Sequence, residues 1–296
     1  MTFQGEITQR VSEFYTSLPF NFHGTVERAA DTLRRENPIS TYRNLDEILK
    51  TAPNGETLLD IGCGAGWFAN AAALHYGLRV VGVDLCKTAL ARAGEVSSAL
   101  EVQRKTRFVA LDLFDIQTLG SDFFVVNSVG VLHHTFDCRE ALRRACGAVR
   151  RGGYLHIGLY HKYGREPFLK LFQPYREQLA SAPMRQREGI ERRAFELYKE
   201  LNRQIDDEAF LYSWFRDQVL HPHETQHTLR EVYDWLVELE FTCLSTSLNG
   251  FQPAPLWEEA FQEEKAMQGL SVKRNYTEKR YFPGFFTVLA RKRVLQ

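Results

Sequence analysis

The stretch Asp60-Ile61-Gly62-Cys63-Gly64-Ala65-Gly66 limits the possible folds of this chain more than any other. It follows Thr57-Leu58-Leu59-Asp60-Ile61, a short apolar run that reads as a buried strand. An alanine-rich helix, expected over Trp67 to Tyr76, comes directly after it. The glycines permit a tight turn and let a ligand come close to bare backbone. The helix beyond turns unpaired N–H groups toward such a ligand. Strand, glycine loop and helix in that order is the context a nucleotide-type binding loop requires.

The pattern then repeats. Leu78 to Val83 reads as a strand, Lys87 to Leu100 as a helix, and Arg107 to Ala110 and Phe123 to Asn127 as strands. A helix over Arg139 to Val149 ends before Gly152-Gly153, and Tyr154 to Tyr160 is a fifth strand. Alternation at this interval argues for a parallel sheet covered by helices on both faces. Beyond Gly164 the alternation stops. Residues to about Gln218 are charged, aromatic and helix-prone, with Pro167, Pro174 and Pro183 as expected breaks. Arg and Glu alternate there, which reads as a solvated face. Thr228 to Leu239 returns as an amphipathic helix, and Phe241 to Leu248 and Phe285 to Ala290 as strands. Before the loop, Pro19 and Pro38 divide a polar and aromatic segment.

Two ligand classes compete for a glycine loop of this kind. A dinucleotide site needs a small third residue for close helix packing, and here that position is Trp67. The spacing is instead G-x-G-x-G with an acid, Asp60, two residues ahead. This resembles the first motif of class I S-adenosylmethionine-dependent methyltransferases, of the small-molecule kind similar to types 11 and 12. Asp84 ends the second strand, 22 residues after Gly62, where an acid can accept from both ribose hydroxyls. The resemblance implies a cofactor site of Asp60, Gly62, Cys63, Gly64, Gly66, Asp84 with Leu85, Asp112 with Leu113 near the adenine, and Asn127 with Ser128. Arg150-Arg151-Gly152-Gly153 is similar to the family's turn before strand five.

The fold so implied is a doubly wound, Rossmann-like, seven-stranded α/β sheet. Its last strand runs antiparallel between strands five and six. The expected division is an N-terminal helical cap over 1–50, a cofactor-binding core over 51–163 and a helical insertion or lid over 164–225. The rest of the core then occupies 226–296, with a short insertion near 252–283. The implied activity is methyl transfer from S-adenosyl-L-methionine to a small molecule, releasing S-adenosyl-L-homocysteine. The aromatic insertion inclines the expected acceptor toward apolar or aromatic metabolites. An RNA or protein methyltransferase and a non-catalytic cofactor-binding subunit are the alternatives.

His133 and His134, in Val131-Leu132-His133-His134 just after the fourth strand, lie at the edge where ligands bind in such folds. An imidazole suits general base work near neutral pH, and His133 is the first candidate. Tyr160, or His161 beside it, is placed to orient a substrate. Trp67, Tyr15, Tyr42 and the insertion's Phe168, Phe172, Tyr175, Tyr212, Trp214 and Phe215 are candidates to cover the site, or else to pack. His223-Glu224-Thr225-Gln226-His227 matches the H-E-x-x-H zinc signature, which needs both histidines on one helix face. Pro222 before it, and the helix start at Thr225 or Thr228 with Glu231, argue against that geometry, so no metal is expected. His221 or His223 is more plausibly turned toward substrate.

Lys plus Arg and Asp plus Glu both number 37, so the net charge is zero. A nucleic-acid partner usually demands an excess of positive charge, so none is expected. Five cysteines with no C-x-x-C pair suggest neither a disulfide framework nor a zinc ribbon. The first residues lack a basic region followed by an apolar run, and no stretch approaches the ~20 apolar residues that span a bilayer. A cytoplasmic protein away from membranes is the expectation.

Overall fold

The structure is a computed structural model that describes residues 3–17, 24–252 and 257–294. Pro19, expected to break the N-terminal segment, lies outside the described residues. Three helices precede the sheet: α1 (Phe3–Ser17), α2 (Val26–Arg35) and α3 (Arg43–Lys50). Thr25 caps α2 by accepting from the Arg28 N–H. Pro38 opens a short 3-10 turn, Pro38–Thr41, ahead of α3.

The alternating part follows as β1 (Thr57–Ile61), α4 (Trp67–Tyr76), β2 (Arg79–Asp84), α5 (Lys87–Ala99), β3 (Thr106–Ala110), β4 (Phe123–Val129), α6 (Cys138–Ala148) and β5 (Val149–Tyr160). Left-handed glycines at both ends, Gly66 and Gly77, delimit α4. Asp137 caps α6 through the Glu140 N–H. The helical insertion is α7 (Lys162–Ser181), α8 (Met184–Leu201) and α9 (Glu208–Phe215). Then come α10 (Leu229–Glu238), β6 (Phe241–Thr246), α11 (Trp257–Glu263), α12 (Ala266–Val272) and β7 (Phe285–Lys292).

The seven strands form one sheet in the order β3-β2-β1-β4-β5-β7-β6. The β1, β2, β3, β4 and β5 pairings are parallel, while β7 is antiparallel to both neighbours. The order reverses between β1 and β4, which opens a crevice at their carboxyl ends.

Side chains alternate between the two faces of the sheet. Leu59, Ile61, Val126, Leu155 and Ile157 point to α6 and α10, where Leu142, Ala145, Val232 and Leu236 meet them. Leu58, Val80, Val125 and Leu289 point the other way, onto Leu33, Leu45, Leu49 and the alanines of α4. The insertion has its own apolar cluster, centred on Phe168, Phe172, Ala194, Tyr198, Leu211 and Phe215.

Two local expectations need correction. Pro167 and Pro174 do not break the insertion; both lie inside α7. An interior proline costs a helix ~3 kcal/mol. Here burial of Pro167, Phe168 and Phe172 on one side of α7 offsets that cost. Pro183 does stand between α7 and α8. The second correction concerns Gly152-Gly153, expected as a turn ahead of the fifth strand. The strand begins earlier, at Val149, and its register against β4 shifts between Phe123 and Val125. Gly152, at φ +72°, lets the chain bulge there and continue. Among the described residues no helix is long and apolar enough to cross a membrane.

Candidate active site

The glycine loop sits at the carboxyl end of β1, at the reversal of strand order. Its three glycines serve different ends. A Cβ on Gly62 would stand 2.3 Å from Cγ2 of Val131, and one on Gly66 2.7 Å from Cβ of Ala93. Both have φ near +70°, so packing and backbone alike require glycine. Gly64, at φ +51°, has nothing within 4 Å of such a Cβ and faces open space. It is the part of the loop that a ligand can approach. Cys63 is buried, and burial pushes its thiol up, away from reactivity.

Asp84 ends β2 beside this opening. One carboxylate oxygen accepts from the Gly64 N–H at 2.9 Å and the other from the Cys86 N–H at 2.8 Å. Each oxygen keeps capacity to accept again. Burial holds this carboxyl above its usual range, and the two N–H groups pull against that rise. Leu85 beside it is exposed. Asp112 caps the 3-10 turn Leu113–Leu119 by accepting from the Phe114 N–H at 3.0 Å.

Asp60 and Asn127 lie deeper. They are register partners on β1 and β4, and Asn127 is in register with His156 on β5. The Asn127 amide donates to Asp60 at 2.7 Å, and its carbonyl oxygen lies 2.8 Å from His156 Nδ1. All three are buried, so their side chains answer to one another within the sheet. Burial raises Asp60 to about 7 and lowers His156 to about 3. Ser128 is buried too, with its hydroxyl 3.4 Å from the Ile61 carbonyl.

Residues 59–157 match the family model described as a methyltransferase domain. That region is a class I methyltransferase core. An uncharacterized protein of Synechococcus sp. is 25% identical over 235 residues, which is 74% of this chain and 55% of that protein. The 27-O-demethylrifamycin SV methyltransferase of Amycolatopsis mediterranei is 29% identical over 46% of this chain and 49% of its own. The chain therefore spans about half the length of these relatives. Among solved structures, PKMT2 from Rickettsia typhi in complex with AdoHcy superposes with a TM-score of 0.55 at 17% identity. That match covers 84% of this chain and 51% of the other, and shows a shared fold.

S-adenosylmethionine is the cofactor of this class of domain, and the residues present suit it. A Cβ on Gly64 would meet no atom within 4 Å, and Asp84 holds acceptor atoms beside it, the two features a nucleoside's diol would require. Asp112 and Leu113 stand at the end of the next strand, β3.

A second group of side chains gathers over the ends of β4 and β5. His133 and His134 form a 3-10 turn after β4 and are both buried. Tyr160, the last residue of β5, lies 4.2 Å from the His133 ring, centroid to centroid. The irregular segment 223–227 crosses both strand ends. The Thr225 N–H donates to the His133 carbonyl, the His227 N–H to the Tyr160 carbonyl, and the Lys162 N–H to the His227 carbonyl. The H-E-x-x-H residues therefore lie ahead of α10, whose cap is Thr228 accepting from the Glu231 N–H. His223 and His227 do not share a helix face.

The insertion adds Arg165 and Asp217, which the sequence reading did not single out, beside Glu224 and His221. Arg165 is fully buried, its guanidinium 3.6 Å from the centroid of the Tyr160 ring. It donates to both oxygens of Glu224, at 3.0 and 2.7 Å, and to the Gln218 carbonyl at 2.8 Å. Burial works to raise Glu224, and Arg165 overcomes it, leaving that carboxyl below its usual range. Asp217, also buried, accepts from the Tyr15 hydroxyl at 2.5 Å. His221 packs against His134 with centroids 3.6 Å apart. Arg165, Phe168 and Phe172 stand at i, i+3 and i+7, one helix face, and that spacing was the available signal for a buried arginine.

Other candidates are placed elsewhere. His161 caps α7 through the Gly164 N–H and lies 3.0 Å from Glu264, so it does not face the histidines. Tyr42 packs on His156, at 4.6 Å, against the middle of the sheet rather than its carboxyl edge. Phe168, Phe172 and Phe215 form the insertion's own core, with Tyr175, Tyr212 and Trp214 packed against it. Trp67 packs against the α2–α5 side of the sheet.

Proposed function

We propose that this chain is an S-adenosylmethionine-dependent methyltransferase acting on a small molecule in the cytoplasm. The observation that carries the reading is the open glycine cradle at Gly64 with Asp84 beside it, on a methyltransferase core. The bound cofactor supplies an electrophilic methyl group on a sulfonium. The chain's own work is then to hold an acceptor in line and to receive its proton.

Asp60, Gly62, Cys63, Gly64, Gly66, Asp84, Leu85, Asp112, Leu113, Asn127 and Ser128 are the proposed cofactor residues, in two layers. Gly64, Asp84 and Leu85 form the face toward the cofactor, with Asp112 and Leu113 beyond. Gly62, Gly66, Asp60, Asn127 and Ser128 fix that face from behind, with Cys63 between. His133, His134 and Tyr160 are the proposed catalytic group. Burial holds His133 well below its ordinary range, and the neighbouring His134 and Arg165 add to this, so the ring is neutral in the free protein. The insertion's aromatics are spent in its own core. Polar side chains surround the histidines instead, which favours a polar acceptor over an apolar one.

Calorimetric titration of the purified chain with S-adenosylhomocysteine tests the reading. Saturable one-to-one binding in the micromolar range is expected. No binding by either S-adenosylmethionine or its product would overturn it.

A further inference from the structure

The backbone around His134 settles which atom of His133 is free. Nδ1 of His134 lies 2.8 Å from the carbonyl oxygen of His223. A carbonyl only accepts, so this Nδ1 carries hydrogen, and in a neutral ring Nε2 is bare. That bare Nε2 is 3.1 Å from Nε2 of His133, which must therefore be the donor. Nδ1 of His133 is left with a lone pair, and it is buried with no partner among the described residues. One backbone carbonyl thus fixes the tautomer of His133 through the intervening ring. Leaving a buried acceptor unmade costs ~1–3 kcal/mol, a cost offset when a ligand donates to it.

We propose that Nδ1 of His133 takes the acceptor's proton, that His134 is the residue positioning it, and that the acceptor group is a hydroxyl. The proposal rests on the methyl-transfer reading above. An amine or thiolate carries its own nucleophilic pair and needs no base in the transfer step. A hydroxyl does, and it also supplies the donor that the free Nδ1 lacks. In the step, the O–H proton passes to Nδ1 and the freed oxygen pair forms the bond to the methyl carbon. The carbon–sulfur pair stays with sulfur. Positive charge leaves the sulfonium as it arrives on the imidazole, so the net charge of the closed site does not change. That balance matters in a buried place where a second uncompensated charge is costly.

Charged and titratable groups face the pair from several elements. Arg165, His221 and His227 act on His133, and Asp217 and Glu224 act on His134. Arg165 is paired with Glu224, which offsets part of its charge beside His133.

The test is nitrogen NMR of the full chain labelled with 15N-histidine, at neutral pH. His133 is expected bare at Nδ1 and protonated at Nε2, with His134 the reverse. His133 protonated on Nδ1 would overturn the proposal without any variant being made. In His134→Ala the His133 signals should move toward a mixture of tautomers. His134→Gln, whose side-chain carbonyl accepts from Nε2–H, should restore them. Unchanged signals in His134→Ala would remove the positioning role. With S-adenosylhomocysteine present, phenol should shift the His133 Nδ1 signal more than aniline at equal concentration. The opposite order would overturn the hydroxyl assignment. Failure of S-adenosylhomocysteine to bind, with the tautomers as stated, would sink the methyltransferase reading alone.

Discussion

At the residue scale, the loop divides its labour between packing and recognition, and substitution separates the two. In the proposed function Asp84 grips the cofactor's sugar, and each of its carboxylate oxygens accepts from one backbone N–H. Asp84→Ala should weaken S-adenosylhomocysteine binding by at least ~10-fold, a change of about 1.4 kcal/mol. Calorimetry reads this directly, and an unchanged Kd would take Asp84 out of the site. Gly66→Ala acts on stability instead. The new Cβ would meet Ala93 at 2.7 Å on a backbone at φ +78°. Overpacking of this kind costs ~1–3 kcal/mol, so the urea midpoint should fall measurably while the m-value stays constant. Arg165 and Glu224 offer a third case. Removing one partner of a buried ion pair strands the other, typically at ~3–5 kcal/mol. Glu224→Gln should therefore lower the thermal midpoint by many degrees, and a shift of under a degree or two would show that the guanidinium finds another partner.

At the element scale, strand register places Asp60, Asn127 and His156 in one buried row across β1, β4 and β5. The row makes stability depend on pH through Asp60. Its folded-state pKa is raised to about 7, chiefly by burial, against a carboxylate's ordinary ~4. Between those values the folded state binds a proton that the unfolded state does not. Stability from this group is therefore present at the acid end of the window and declines as pH rises toward 7. Asp60→Asn deletes the titration. The difference in unfolding free energy between variant and parent should change in the variant's favour from pH 4 to pH 7, and a parallel pair of profiles would refute the raised pKa. Register also explains what was legible beforehand. Thr57-Leu58-Leu59-Asp60-Ile61 and Phe123 to Asn127 announce buried parallel strands by composition alone. That Asp60 bonds to Asn127, 67 residues away, depends on how two distant strands line up, which no single segment encodes. The bulge at Gly152 and the continuous α7 were missed for a related reason. Local signals of glycine and proline were overridden by sheet pairing and by burial of the apolar face of α7.

At the scale of the whole molecule, the core was readable because each βα unit carries its own period and its own turn. The contacts of the insertion were not, because they are with distant parts of the chain. Arg165 reads as one more surface charge until Tyr160, Glu224 and Gln218 are brought around it. The N-terminal helix α1 shows the same dependence. The Tyr15 carbonyl lies 3.8 Å from Cys86 Sγ, two residues from Asp84, while its hydroxyl reaches Asp217 of the insertion. Phe14 packs on His221 at 5.1 Å and lies under the Arg216 guanidinium at 4.6 Å. Thus α1 ties the cofactor side of the core to the insertion. If a ligand sits beside Asp84 and His133 as proposed, it lies near the contacts of this strap, and its exit is then expected to require α1 to lift. Tyr15→Phe removes the bond to Asp217 while keeping the ring, and a hydrogen bond to a charged group contributes ~1.5–3 kcal/mol. The strap should then open more often. Stopped-flow displacement of S-adenosylhomocysteine should show release at least ~10-fold faster than in the parent, since each ~1.4 kcal/mol is a factor of ten. Equal release rates would mean that α1 is fixed independently of this bond, or that the cofactor leaves by another face.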